Sequence, residues 1–235
     1  MKKRENLNSE NINNLYPLLA IETSSVLCGA CVYFGRDKFF QTFINYKNIH
    51  AERLFEIIDS VLKTADIRPG DINAVAVSGG PGSFTGLRIG MSAAKGIAFG
   101  LSVPVIKVPT FEALALEISD YLPENTFFTI ANRVNSEEVY YARFQIKSNS
   151  YIFVENLKIL KFGEFSNNSG TGIVFGNATK MKNSSILYRG NIFAPQPRYI
   201  AQWAVDFGKD IISKDYDYLE PNYLKNFTIK VRKNV

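Results

Sequence analysis

From residue 18 the chain alternates short apolar runs with stretches in which apolar residues recur every three or four positions. LLAIE at 18–22 is apolar up to its closing acid, the pattern of a strand buried on both faces. VLCGACVYFGRDKFFQTFINY follows as a pair of strands hinged at Gly35–Lys38. Between 51 and 65 the period changes. Leu54, Ile57, Ile58, Val61 and Leu62 fall on one face of a helix, and Pro69–Gly70 stops it. INAVAVSGG predicts a buried strand, the segment from 84 to about Gly100 a helix, and VPVIKV a strand. PTFEALALEISDYL predicts a helix opened by Pro109 and Thr110. Strands interleaved with helices make this an α/β chain.

In the second half FFTIA, EEVYYARFQI and YIFVENLKIL read as strands, and residues 163–172, rich in Gly, Asn and Ser, as a loop. GIVFGNATK reads as a strand and turn, ILYRG as a strand, and 198–213 as a helix after the break PQP. No internal repeat and no low-complexity linker is visible. The expected division is a polar extension over 1–16, a first lobe over 17–104 and a second over 105–235. The last helix and tail can pack back on the first lobe.

The 235 residues, 46% hydrophobic and 13% aromatic, suffice for a substantial core. No apolar run approaches the roughly 20 residues needed to cross a bilayer, and the charged N-terminus lacks the apolar stretch of a signal peptide. These features predict a cytoplasmic chain with no membrane partner. The net charge of +5 is compatible with a complex that handles nucleic acid, but the excess is spread along the chain and does not argue for direct RNA binding. Cys28 and Cys31 are the only cysteines and His50 the only histidine, so a four-ligand zinc site cannot be assembled from them. VLCGACVYFG has the pattern of a strand, whereas a redox pair opens a helix, so the two thiols read as small semi-buried side chains.

GGPGSFTGLRIG, from Gly79 to Gly90, is the most informative stretch. Four glycines within eight residues (Gly79, Gly80, Gly82 and Gly86) permit a tight turn, and Ser83 or Thr85 can cap the helix that follows. Such a turn is either a close strand–helix junction or a cradle that offers backbone amides to a phosphate. It is neither a Walker A loop nor a dinucleotide fingerprint. The helix carries Leu87, Ile89, Met91, Ala93, Ala94, Ile97, Ala98 and Phe99, with only Arg88, Ser92 and Lys95 as a polar stripe. Apolar groups on most of its circumference predict burial on more than one side. Either one face meets a second chain, or the helix lies at the centre of a three-layer domain.

At this point the chain resembles the TsaB (YeaZ) family. LLAIETSS is similar to the family's opening strand and hairpin, and His50 with Glu52, Arg53 and Leu54 to its first helix. GGPGSFTGLRIG is similar to its signature, KGIAFGLSVPVIKVPTFEALA to the segment beyond it, and EEVYYARF and EPNYLK to its later markers. The resemblance is dense from about Leu18 to Ala115 and patchy afterwards. It implies an actin-like ATPase (ribonuclease-H-like) fold, two related α/β lobes each on a mixed sheet. It also implies a homodimer when alone, or pairing with the related catalytic subunit TsaD through helices at about 50–63 and 84–99. The interface residues expected on those helices are Leu54, Ile58, Val61, Phe84, Leu87, Arg88, Met91, Ala94 and Ile97. With the ATPase TsaE, the pair supports transfer of threonylcarbamoyl to adenosine 37 of tRNA, so that tRNA is an indirect partner of this chain.

No catalytic residue, metal ligand or cofactor is expected. The catalytic relative holds a metal through paired histidines, and His50 stands alone. The weak candidates for a nucleotide contact are Glu22, Thr23, Ser24, Gly82 and Ser83. In Glu22-Thr23-Ser24-Ser25 the glycine that lets such a hairpin approach phosphate is missing. Arg133-Val134-Asn135 also departs from the family's Asp-Ala-Arg. The expected function is therefore that of an accessory subunit; the alternative is a small autonomous ATPase or kinase of the actin-like superfamily. A protease would need a Ser–His–Asp or zinc arrangement that is not recognisable here.

Overall fold

The computed structural model describes residues 15–168, 172–178 and 186–224. The expectations for most of the N-terminal extension and for the basic end of the tail lie outside these residues. The first half runs β1 (Leu18–Glu22), β2 (Leu27–Gly35), β3 (Lys38–Asn45), α1 (His50–Thr64), β4 (Ala74–Gly80), α2 (Phe84–Leu101), β5 (Val105–Pro109) and α3 (Thr110–Ser119). The second runs β6 (Phe127–Arg133), β7 (Glu138–Lys147), β8 (Ser150–Lys161), α4 (Phe162–Asn168), β9 (Gly172–Phe175), β10 (Ile186–Arg189), α5 (Pro197–Phe207) and β11 (Ile212–Ser213).

Two sheets result, with strand orders β11-β5-β4-β1-β2-β3 and β10-β9-β6-β7-β8. β1 pairs parallel with β4 and antiparallel with β2; β6 pairs parallel with β9 and antiparallel with β7. The order β3-β2-β1-β4-β5 thus recurs as β8-β7-β6-β9-β10, with the same strand directions. This is the actin-like, ribonuclease-H-like duplication. It is a repeat of topology that leaves no repeat of residues.

Helices cover both faces of the first sheet, which is why β1 is buried along its whole length and does not alternate. Leu19 and Ile21 face α1 and α2, whereas Leu18 and Ala20 face α5 and part of α3. The stripe on α1 packs as its spacing predicts, with Leu54, Ile57, Ile58, Val61 and Leu62 all buried. Each such side chain contributes roughly 1.5–3 kcal/mol by leaving water. α2 is capped by Ser83, whose hydroxyl accepts from the Gly86 amide at 3.2 Å. It ends on Ser102 in the left-handed conformation, whose amide returns to Ala98 and Phe99.

The helix enclosed on two sides is α3. Its Ala113 and Leu116 belong to the core of the first sheet, while Phe111, Leu114, Ala115 and Ile118 belong to that of the second. β5 is hydrogen-bonded to β4, so the passage from one sheet to the other falls after Pro109. Two expectations about single elements change. The stretch begun at 163 is not all loop, because Phe162 and Phe165 pack at 6.3 Å and anchor α4 on the second sheet. The last helix stops at Phe207, and Ile212–Ser213 return to β5 as an edge strand. α5 lies across β1 and β2.

Candidate functional site

The glycine signature meets the β1–β2 turn. Glu22, Thr23 and Ser24 are buried there. The Ser24 amide and hydroxyl both donate to Glu22 Oε1 at 2.5 Å, and the Ser83 amide donates to the Ser24 carbonyl at 2.6 Å. After the cis Gly80–Pro81 peptide, Gly82, Gly86 and Gly90 stand four residues apart against this turn. A β-carbon on Gly82 would come within 2.8 Å of Ser24 Cβ. One on Gly86 would run into the Thr23 carbonyl, and one on Gly90 into Thr23 Oγ1. The missing side chains let α2 sit directly on the hairpin, as a close strand–helix junction requires.

Glu22, the acid of the nucleotide-contact candidates, is turned inward. Burial pushes its carboxyl up to about 7, against the opposing pull of its bonds from Ser24. Thr23 Oγ1 has no hydrogen-bond partner among the described residues. Ser24, Gly82 and Ser83, by contrast, line a cleft of about 620 Å³ between the lobes. Lys47 and His50 line it from the first lobe, Asn132, Arg133 and Asn177 from the second. His50 Nε2 lies 3.3 Å from the Leu27 carbonyl, a contact that ties the start of α1 to β2. The second-lobe corner is clamped: Asn177 Oδ1 accepts from the Arg133 amide at 2.7 Å, and Asn132 Oδ1 from the Asn177 amide at 3.1 Å. Asn135 caps the adjacent turn by accepting from the Glu137 and Glu138 amides.

The α1–α2 face differs from its sequence-based outline. Leu54, Ile58, Val61, Leu87, Met91 and Ala94 are each no more than 5% exposed, and all but Leu87 belong to the core beneath the helices. They can support a docking face but not present one. Phe84 and Ile97 are half-buried, and Arg88 is exposed. The outward side chains include Phe55 on α1 and Arg88, Ser92 and Phe99 on α2, beside open space at Gly96 and Gly100.

A strap over residues 216–223 runs along one flank of α2. Tyr216 donates to the Val103 carbonyl at 2.7 Å and lies edge-on to Phe99 at 5.9 Å. Lys95 Nζ donates to the Leu219 carbonyl at 3.3 Å, and the Asn222 amide to the Gly79 carbonyl at 2.7 Å. Tyr223 meets Phe84 at 5.0 Å, and Arg88 both covers the Phe84 ring and donates to the Tyr223 hydroxyl at 3.2 Å. The marker EPNYLK could have located this contact, since it contains the Asn222 and Tyr223 that make it.

Cys28 belongs to the core under α1 and α2, and Cys31 to that under α5, on opposite faces of β2. Burial raises both thiols, Cys28 to about 11. Among the described residues no three His, Cys, Asp or Glu side chains gather as a metal site would need. No described helix is long and apolar enough to cross a membrane.

Comparison with known proteins agrees with this architecture. Residues 45–166 match the family model for TsaD, tRNA N6-adenosine threonylcarbamoyltransferase. The tRNA threonylcarbamoyladenosine biosynthesis protein TsaB of Haemophilus influenzae is 34% identical over 54% of this chain and 52% of its own length. TsaB of Bacillus subtilis is 36% identical over 42% of this chain and 43% of its own length. The matched region therefore spans about half the length of these relatives. TsaB of Escherichia coli aligns more fully, at 26% identity over 89% of this chain and 94% of its own. The structure of YeaZ from Pseudomonas aeruginosa superposes with a TM-score of 0.73 at 21% identity, covering 88% of this chain and 99% of that one. The chain belongs to the TsaD family of threonylcarbamoyltransferase-type domains and is similar to the TsaB proteins within it.

Proposed function

We propose that this chain serves threonylcarbamoyladenosine biosynthesis on tRNA as an accessory subunit, by docking on the catalytic TsaD. The observation that carries the reading is the seating of Gly82, Gly86 and Gly90 on Thr23 and Ser24. The family signature is spent on packing α2 onto the hairpin, and Glu22 is locked to Ser24 instead of facing the cleft. The residues that would position a nucleotide for chemistry are thus engaged in holding one helix in place.

What that helix presents outward is small and flat. Ser92, Gly96 and Gly100, on successive turns, let a second helix come close, with Phe55 and Phe99 as flanking anchors. The strap fixes the Phe84–Arg88–Tyr223 cluster at one end of this face. The docking residues are accordingly Phe55, Phe84, Arg88, Ser92, Gly96, Ile97 and Phe99, held from below by Leu54, Ile58, Val61, Leu87, Met91 and Ala94. A second copy of the chain occupies the same face when TsaD is absent, and TsaE joins the larger assembly.

Reconstitution tests the reading. TsaD and TsaE with substrate and tRNA are expected to modify the tRNA only when this chain is added, and the chain alone is expected to turn nothing over. Full modification without it would overturn the proposal.

A further inference from the structure

We infer that the second sheet carries a docking face of its own, which receives a carboxylate-bearing amphipathic helix from another protein. β6 is the middle strand of that sheet, yet its Phe127 is 45% exposed. Phe127 is in register with Gln145 on β7, and Gln145 with Ile152 on β8, so the three form one row across the sheet. Ile152 is 47% exposed, and Val154, beside it where the register of β8 shifts, 42%. The next row is Thr129, Arg143 and Glu155. Side chains alternate along a strand, so both rows lie on the side that Ala131 and Tyr141 turn towards Phe165 of α4.

The duplicated topology explains why this side is bare. α4 follows β8 as α1 follows β3, and each packs on one face of its sheet. α1 has 15 residues and α4 only 7, or about 22 Å against about 10 Å at 1.5 Å per residue. The shortfall of about 12 Å matches the run of β6 from Ala131 back to Phe127, about 13 Å along a strand. Apolar side chains at that end face water that about two more turns of helix would displace.

Charge selects the occupant. Arg143 stands among these apolar residues, 5.5 Å from the Phe127 ring, and has no ion-pair partner among the described residues. Glu155 beside it is already engaged, accepting from the Tyr141 hydroxyl at 2.8 Å and from Lys158 Nζ at 2.7 Å. Lys147 lies on the same face further along β7, its ammonium on Asn125 Oδ1, and Glu124 at the sheet's end accepts from the Ser148 amide at 3.0 Å. A guanidinium flanked by apolar anchors suits a carboxylate that arrives with apolar neighbours of its own. Two copies joined through this face would set Arg143 and Lys147 against their own kind, so like charge opposes self-pairing. The occupant is therefore a helix of a different chain, with an acidic residue beside its apolar stripe.

The probe is a synthetic helical peptide of about four turns, with leucines on one stripe and glutamates beside them. It is titrated into the whole chain next to a twin with lysines in place of the glutamates. Saturable binding of the glutamate peptide is expected, with amide shifts at Phe127, Gln145 and Ile152, and the twin should bind roughly tenfold or more weakly. Ile152→Asp should weaken the glutamate peptide by a similar factor, and Arg143→Glu should turn the preference towards the twin. Neither side chain is buried, so circular dichroism should show unaltered folds. Ser92→Glu, on α2, should bind the peptide as the wild type does, which separates failure here from failure of docking on TsaD. No saturable binding, equal binding of the twin, undiminished binding by Ile152→Asp, or shifts confined to α2 would overturn the assignment. So would a dimer of the chain that Ile152→Asp dissolves, or displacement of the peptide by an RNA oligonucleotide at lower concentration.

Discussion

Gly90 lies against Thr23 so closely that a β-carbon on the glycine would overlap the threonine Oγ1. This places the last glycine of the signature in a packing role and yields a test by substitution. Gly90→Ala should destabilise the fold, and Thr23→Ala, which removes a hydroxyl without a partner, should be nearly neutral. Together they should recover stability, with a coupling of about 1 kcal/mol or more in a double-mutant cycle by urea unfolding. Additive losses would contradict the contact.

Glycines on one helix should respond oppositely. A β-carbon on Gly86 meets the Thr23 backbone, which cannot rotate away, whereas Gly96 faces open space. Gly86→Ala should cost about 1–3 kcal/mol, a fall in Tm of roughly 2–10 °C. Gly96→Ala should raise stability by up to about 1 kcal/mol through helix propensity. Thermal scans of the two variants decide the matter.

The pH dependence follows from two buried acids. Burial pushes Glu22 and Glu117 each up to about 7 from an ordinary value near 4.5. Between these values the unfolded chain has released the proton and the folded chain retains it. Stability should therefore be fully present below about pH 4.5, fall as pH rises towards 7, and level off above. The slope attributable to each amounts to something on the order of 3 kcal/mol across the window. Glu22→Gln and Glu117→Gln should each flatten the profile of urea midpoints over that range. An unchanged slope in both would contradict the burial assigned to these carboxyls.

The strap offers a third handle. The Tyr216 hydroxyl reaches the Val103 and Ala98 carbonyls at 2.7 and 3.3 Å. Tyr216→Phe should cost about 0.5–1.5 kcal/mol, because the half-buried bond is lost while the ring remains. Tyr216→Ala should cost more and loosen the strap, seen as faster amide exchange at Leu219 and Asn222.

Much of this was legible in the residues, for identifiable reasons. α1 was plain because one face is apolar and the other charged. α2 was harder: Ser92, Gly96 and Gly100 are small enough to vanish from a polar–apolar count, so the helix looked greasy all round although one side is open. The helix that is enclosed all round is α3, whose pattern reads the same way. Leu54, Leu87, Met91 and Ala94 are buried rather than outward, a distinction that spacing cannot make. α4 hid in a Gly- and Asn-rich stretch because only Phe162 and Phe165 anchor it. Lys47 and Arg133 are distant in sequence, and only the crossing of the lobes brings them to one cleft. The duplicated strand order left no trace, since topology can repeat when side chains do not.

Docking itself is settled by one comparison. Isothermal titration of TsaD with the wild-type chain and with a Ser92→Glu/Gly96→Glu variant places two charges on the open side of α2 while sparing the core. A folded variant that has lost roughly 100-fold or more in affinity, about 3 kcal/mol, and no longer supports tRNA modification is the expected result. Undiminished affinity in a folded variant, or no binding by the wild type, would contradict it.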